Sequence, residues 1–294
     1  MLAVPTSIAE LVNVLELERL DEDLFRGSHA SSSEMTRVFG GQVAAQALMA
    51  AYASVPVARR VHSLHAYFVL GGDPSIPIIY DVDRIRDGGS FSTRRVSARQ
   101  HGDVIFYMTA SFHKDESGYE HQDVMPDVAT VDESVPMVEL LKSLNEDVAE
   151  HWRREWSALD VRYVGDNRAD DDPTRKTVPA VQRVWFRANG DLPDDEPLNA
   201  CILTYITDLS LLGTALIPHG ILIGSPRIQP ASLDHAIWFH RPVRADEWLL
   251  YDQTSPSARG ARGFATANIY TRDGALVASV AQEGLIRPVG SAGR

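Results

Sequence analysis

An acid sits where an apolar helix should present only hydrocarbon. Residues 198–218 read LNACILTYITDLSLLGTALIP, and their one charged side chain is Asp208. At about 100° per residue, and taking Tyr205 as the centre of the stripe formed with Ile202, Leu209, Leu212 and Leu216, Asp208 falls about 60° to one side. A carboxylate at the edge of a buried stripe must either find hydrogen-bond partners or hold its proton to higher pH. Helix geometry leaves two readings open, a structural acid that buttresses a neighbouring strand and a general base.

A second polar residue lies among apolar neighbours. In LVASVAQ, strand alternation puts Leu276, Ala278, Val280 and Gln282 on one face, so Gln282 points where small apolar residues point and needs partners there. Other side chains offer weaker chemistry. Cys201 lies seven residues before Asp208 on nearly the same face, with no histidine at a spacing that would activate it. His62 and His65 share a strand pattern, either as hydrogen-bonded structural residues or as a base for hydration or dehydration. The run Asp170-Asp171-Asp172-Pro173 reads as a solvated loop, because adjacent acids in a helix or strand do not converge on one ion. Signatures of a serine-hydrolase elbow, a phosphate-binding loop, a dinucleotide fold or a zinc protease do not occur.

The elements that must position these residues follow from patterning. With 294 residues, two domains are expected. A net charge of −12 from 28 basic and 40 acidic residues argues against a nucleic-acid partner. One cysteine, a glutamate-bearing N-terminus and no apolar stretch read as long enough to span a bilayer point to a cytoplasmic protein. Ser7 and Glu10 form a capping-box pattern for a helix over residues 7–20. Residues 38–55, VFGGQVAAQALMAAYASV, read as a buried helix opened by two glycines, and strand patterns follow through residue 114. Residues 116–159 read as a connection holding one modest helix around 137–156. The second half then repeats the order strand, helix, strands. His65-Ala66-Tyr67-Phe68 echoes His235-Ala236-Ile237-Trp238-Phe239, and Gly102 matches Gly274 between similar strands. A duplicated α+β unit, each half a sheet wrapped around a long helix, is the expected fold.

The stretches VFGGQVAAQAL, VHSLHAYFV, PIIYDVDRIRDGGSFSTRRV, IFYMTASF, GYEHQ, RVWFRANG, DHAIWFHRP, EWLLY and VASVAQEG, in this order, resemble the acyl-CoA thioesterase II (TesB-type) family. The resemblance spans nearly the whole chain, least so over about residues 125–178. It implies a double hotdog, with residues 1–115 a non-catalytic N-terminal copy and 160–290 the copy carrying the active site. It also implies a catalytic set of Asp208, a hydroxyl at Ser232 where threonine is the family pattern, and Gln282. Placing Val43 in the role of Tyr205 puts Gln46 in the register of Asp208, and an amide cannot be a base, so one active site per chain is expected.

The implied reaction is hydrolysis of an acyl-CoA thioester to fatty acid and CoA by a water that Asp208 activates and Ser232 and Gln282 position, with no cofactor and no metal. A helix N-terminus near Asn199 or Gly41 would stabilise the oxyanion. The acyl chain would lie between helix and sheet. Arg37, Arg94, Arg95, Arg259 and Arg262 are the candidates for the CoA phosphates. Competing readings are a hotdog enoyl-CoA hydratase or dehydratase and a non-catalytic acyl-CoA binding module. Exposed sheet edges further lead to the expectation of a homo-oligomer.

Overall fold

The computed structural model describes residues 5–28, 35–167, 180–223 and 225–290. The acidic run at residues 170–173 lies outside them. The first half comprises α1 (Ile8–Leu15), β1 (Leu17–Asp21), β2 (Leu24–Gly27), α2 (Gly40–Tyr52), β3 (Arg59–Phe68), β4 (Ile78–Asp87), β5 (Phe91–Gln100) and β6 (Asp103–Lys114). The connection carries β7 (Val135–Pro136), α3 (Met137–Leu144) and α4 (Glu146–Trp156). In the second half β8 (Leu159–Asp166) and β9 (Ala180–Ala188) precede α5 (Glu196–Thr207) and a 3-10 helix (Leu211–His219). Strands β10 (Ile228–Ser232), β11 (Asp234–Phe239), β12 (Leu249–Arg259), β13 (Arg262–Thr271) and β14 (Leu276–Pro288) follow.

Among the described residues the strands form one 14-stranded sheet in the order β1-β2-β4-β5-β6-β3-β11-β14-β13-β12-β9-β8-β7, with β10 beside β14. Antiparallel pairing of β3 with β11, Ala236 opposite His65, joins the two halves. The main core runs through both, from Leu48 and Val96 to Ile202 and Val280, because α2 and α5 each bury nearly every side chain against a concave sheet and against each other. This is the double hotdog arrangement of the α+β class. Gly102 and Gly274 take matching left-handed conformations, φ 90° and 91°, at equivalent hairpins.

Several expectations need correction. The first helix stops at Leu15 instead of running on to residue 20, while its start keeps the expected capping box: Ser7 accepts from the Glu10 N–H, and Glu10 accepts from the Ser7 N–H and from Thr6. The single helix expected at 137–156 is two, broken at Asn145, whose side chain accepts from the Asp147 and Val148 N–H groups and so starts a new helix. Ahead of them the connection straps the outer face of the second half. The Trp185 indole donates to Ala129 O at 2.9 Å, and Gln122 bonds Gly274 O and the Leu276 N–H.

The apolar helix is also not continuous. Thr204 and Thr207 donate back to Ala200 O and Thr204 O, a habit that bends helices, and from Leu209 the backbone N–H groups bond three residues back instead of four. By length and composition Glu196–His219, 24 residues containing an 18-residue window of mean hydropathy 1.7, could cross a bilayer, so the expectation that no stretch is long enough was too strict. Of that window 83% is buried inside the protein, as in a core helix.

Candidate active site

The break puts Asp208 at the C-cap of α5 instead of on a helical face. Its backbone is still near-helical (φ −81°, ψ −6°), and its carboxylate is aimed across the molecule at the first turn of α2. That turn needs an acceptor, since its own N-cap residue is Phe39 and provides no side-chain hydrogen bond. The Gly41 N–H donates to Asp208. Gly40 makes the approach possible, as a Cβ there would lie 2.5 Å from Asp208 Oδ2. The acid of the second half therefore caps the helix of the first, a favourable pairing of anion and helix N-terminus.

Ser232 and Gln282 reach the same carboxylate from the sheet. Ser232 ends β10 and pairs with Gly284 of β14, which brings it beside the inward-facing Gln282. The Ser232 hydroxyl donates to Asp208 Oδ1 at 3.1 Å, and Gln282 Nε2 donates to Oδ1 at 2.5 Å and to Ser232 Oγ at 3.1 Å. Gln282 is wholly buried, and its Oε1 has no partner among the described residues. Asp208 keeps some exposed area, yet protein packs around its carboxyl closely enough that burial pushes its pKa from 3.8 to about 6. The bonds from Gln282, Ser232 and the Gly41 N–H pull the other way and do not overcome burial. An acid so placed can exchange a proton near neutral pH.

The other candidates fall elsewhere. Asn199 is nine residues up α5, about 13 Å from Asp208, where it ties the helix start to Pro193 O, Asp195 O and the Ala245 N–H. As the Gly41 N–H is engaged by the carboxylate, neither predicted oxyanion donor stands free at this site. Cys201 is buried, and burial raises its thiol pKa well above the ordinary range. His62 bonds Ser111 Oγ at 2.8 Å, and His65 lies exposed against the edge of Trp238. His65 and Trp238 are on the outer face of the sheet. Of the arginines, Arg94 is 1% exposed and holds Asp87 and the Ser54 carbonyl at the end of α2. Arg95 and Arg262 pair with Asp83 and Glu283. Arg37 and Arg259 remain as exposed candidates.

One neighbour enters the sequence reading only through the His-Ala repeat. His235 is wholly buried and bonds Thr207 Oγ1 at 2.9 Å through Nε2. The Thr207 hydroxyl hydrogen is directed to Thr204 O, which makes Nε2 the donor and leaves Nδ1, unpartnered among the described residues, as the bare nitrogen. Burial lowers its pKa to about 4, so it is neutral. The repeated His-Ala pair was a misleading signal, since the first histidine faces out and the second in. The matched IIYD and LLYD stretches are more informative. Tyr80 OH donates to Gln46 Oε1 at 2.7 Å and Tyr251 OH to Thr207 O at 2.9 Å, so equivalent tyrosines touch the Gln46 and Asp208 levels of their own helices.

Comparison with known proteins agrees with this architecture. Residues 29–113 match the model of the acyl-CoA thioesterase N-terminal domain, and residues 167–285 match that of the acyl-CoA thioesterases. An acyl-CoA thioesterase 2 from Haemophilus influenzae is 40% identical over 282 residues, 94% of this chain and 96% of its own. The chain belongs to the acyl-CoA thioesterase family. Acyl-coenzyme A thioesterase 8 of mouse is 42% identical over 94% of this thioesterase and 88% of itself. The crystal structure of an acyl-CoA thioesterase II, TesB2, from Mycobacterium marinum superposes with a TM-score of 0.80 at 44% identity, covering 95% of this chain and 98% of that one.

Proposed function

We propose that this thioesterase hydrolyses acyl-CoA with Asp208 as general base and Ser232 and Gln282 as its positioning partners. The observation that carries the reading is the convergence of both side chains on one oxygen of a carboxylate whose pKa is about 6. With Oδ1 occupied by the Ser232 and Gln282 donors, Oδ2, the oxygen that faces the first turn of α2, is the one to accept a proton from water beside the Gly41 N–H. The unpartnered Gln282 Oε1 is a second acceptor for the same water, so its two hydrogens are held and a lone pair is directed at the thioester carbonyl. Water oxygen then bonds the carbonyl carbon as its proton passes to Asp208. Collapse of the tetrahedral oxyanion breaks the C–S bond, and the CoA sulfur takes the proton from Asp208 as it leaves.

Among the described residues the first half supplies Gly40 and Gly41 but no second base. Gln46 is spent on Val14 O, Ser28 O and Tyr80. This supports one site per chain, in residues 160–290, with 1–115 as the non-catalytic copy and 116–159 as the strap. The exposed Tyr67, Tyr107 and Trp238 on the outer sheet face support self-association, which sedimentation at several concentrations tests. The single buried Cys201 fits a cytoplasmic setting.

Thiol release from acyl-CoA, followed with a thiol reagent, is the deciding assay. Asp208→Asn keeps shape and removes the base, and a loss of kcat of about 10²-fold or more is expected. An unchanged rate would refute the assignment of Asp208, and conversion of enoyl absorbance with the thioester intact would replace hydrolysis by hydration.

A further inference from the structure

The acyl chain must leave the scissile carbonyl in some direction, and the surroundings of Gln282 leave one open. Along the inner face of β14, Val280 and Ala278 run into the main core, which α5 fills. In the other direction Gly284 follows, directly opposite both Ser232 of β10 and Gly263 of β13. These two glycines make a floor without side chains beside the three polar residues.

The 3-10 helix covers that floor. A Cβ on Gly284 would lie 2.5 Å from Leu212 Cδ2 and 2.6 Å from Cδ1, and one on Gly263 would lie 2.5 Å from Ala215 Cβ. The Leu212 isobutyl group is thus seated on bare backbone, one inward position along β14 from Gln282, and is 6% exposed. Nine residues is long for 3-10 geometry; Leu211 joins the main core, whereas Leu212, Ala215 and Leu216 pack with Ile228 and Ile286 in a separate small group. The polar anchors of the 3-10 helix are the bonds of Ser210 and Thr214 to Gln253 Oε1, at 3.2 and 3.3 Å. Gln253 Nε2, wholly buried, has no partner among the described residues.

We propose that Leu212 sets the length and bulk of acyl chain accepted, because the first carbons beyond the carbonyl take its seat over Gly284 and Gly263 as the 3-10 helix shifts outward. This rests on the assignment of the reaction to Asp208. A chain entering there exchanges one set of apolar contacts for another, so the cost of displacing Leu212 is largely returned when the acyl group is long and is not returned when it is short.

The test is kcat/KM for butanoyl- through palmitoyl-CoA in the wild type, Leu212→Ala, Leu212→Val and Leu216→Ala, with thermal melts on each. Leu212→Ala is expected to change the ratio of long-chain to butanoyl-CoA turnover by about 10-fold or more, the scale on which apolar pockets discriminate small groups. Leu212→Val should give a smaller change of the same sign. Leu216→Ala, in the same apolar group but off the glycine floor, should keep the wild-type ratio. An unchanged ratio in folded Leu212 variants, a uniform loss at every chain length, or an equal shift in Leu216→Ala overturns the proposal. Failure of the Asp208 assignment is seen separately, as Asp208→Asn retaining activity on all chain lengths.

Discussion

Gly40→Ala is the substitution that most directly tests whether the first half helps build the site. The added Cβ would stand 2.5 Å from Asp208 Oδ2 and 2.8 and 3.0 Å from Phe68 Cε1 and Cζ. A carbon and a carboxylate oxygen rest at about 3.4 Å, so the carboxylate must retreat by about 0.9 Å or the first turn of α2 must move. Either shift weakens the bond from the Gly41 N–H, and retreat also disturbs those from Ser232 and Gln282. Misplacement on the scale of 1 Å costs about 10²-fold in rate. Gly40 does not have a left-handed φ, so alanine fits its backbone, and the helix itself gains about 0.5–1 kcal/mol from the exchange. The expected outcome is kcat lower by about 10²-fold, measured by thiol release, in a protein whose melting temperature changes by only a few degrees. Losing a donor to the charged form also raises the Asp208 pKa, so the pH midpoint of kcat/KM should move up. A folded Gly40→Ala enzyme with wild-type kcat and midpoint would refute the placement of Asp208 against α2.

Four further outcomes follow from the hydrogen bonds described above. Activity needs the charged base, so kcat/KM should rise with pH through a midpoint of about 6 and level off above it. The sign for stability is opposite. The folded pKa is raised above 3.8, so the carboxylate contributes a cost that is full above about pH 6 and absent below about pH 3.8, and urea titrations across that window should show it in wild type and not in Asp208→Asn. Ser232→Thr keeps the hydroxyl and should keep activity, while Ser232→Ala removes one of two donors to Oδ1 and should lower kcat by about 10-fold, on the scale of one charged hydrogen bond. Gln46→Ala strips partners from Val14 O, Ser28 O and Tyr80 OH in the core and should cost about 2–4 kcal/mol in chemical denaturation with kcat of the folded fraction unchanged.

The sequence by itself determined which faces are buried and which residue is out of place. Alternation along LVASVAQ put Gln282 with the inward side chains, the similar strands around the hairpin glycines Gly102 and Gly274 marked a duplication, and an acid in an apolar helix marked Asp208. These are local properties, fixed by a repeat of 2 or 3.6 residues that any window of chain displays. Tertiary structure decided everything that joins distant segments. The bonds at Asp208 span 24 residues to Ser232 and 74 to Gln282, and that convergence depends on β10 pairing with β14, a short strand with no alternation of its own to announce it. The break after Thr207 comes from threonine hydroxyls bonding back along the helix, which moved Asp208 from a helical face to a cap. Gly40 and Gly41 meet Asp208 only because two halves close around one pair of helices, and no periodicity in either half records its partner. Arg94 looked like a phosphate ligand because charge is legible in a sequence, whereas its 1% exposure depends on where α2 ends. Pattern fixes the face a residue presents; the register of pairing between remote strands and helices fixes what that face meets.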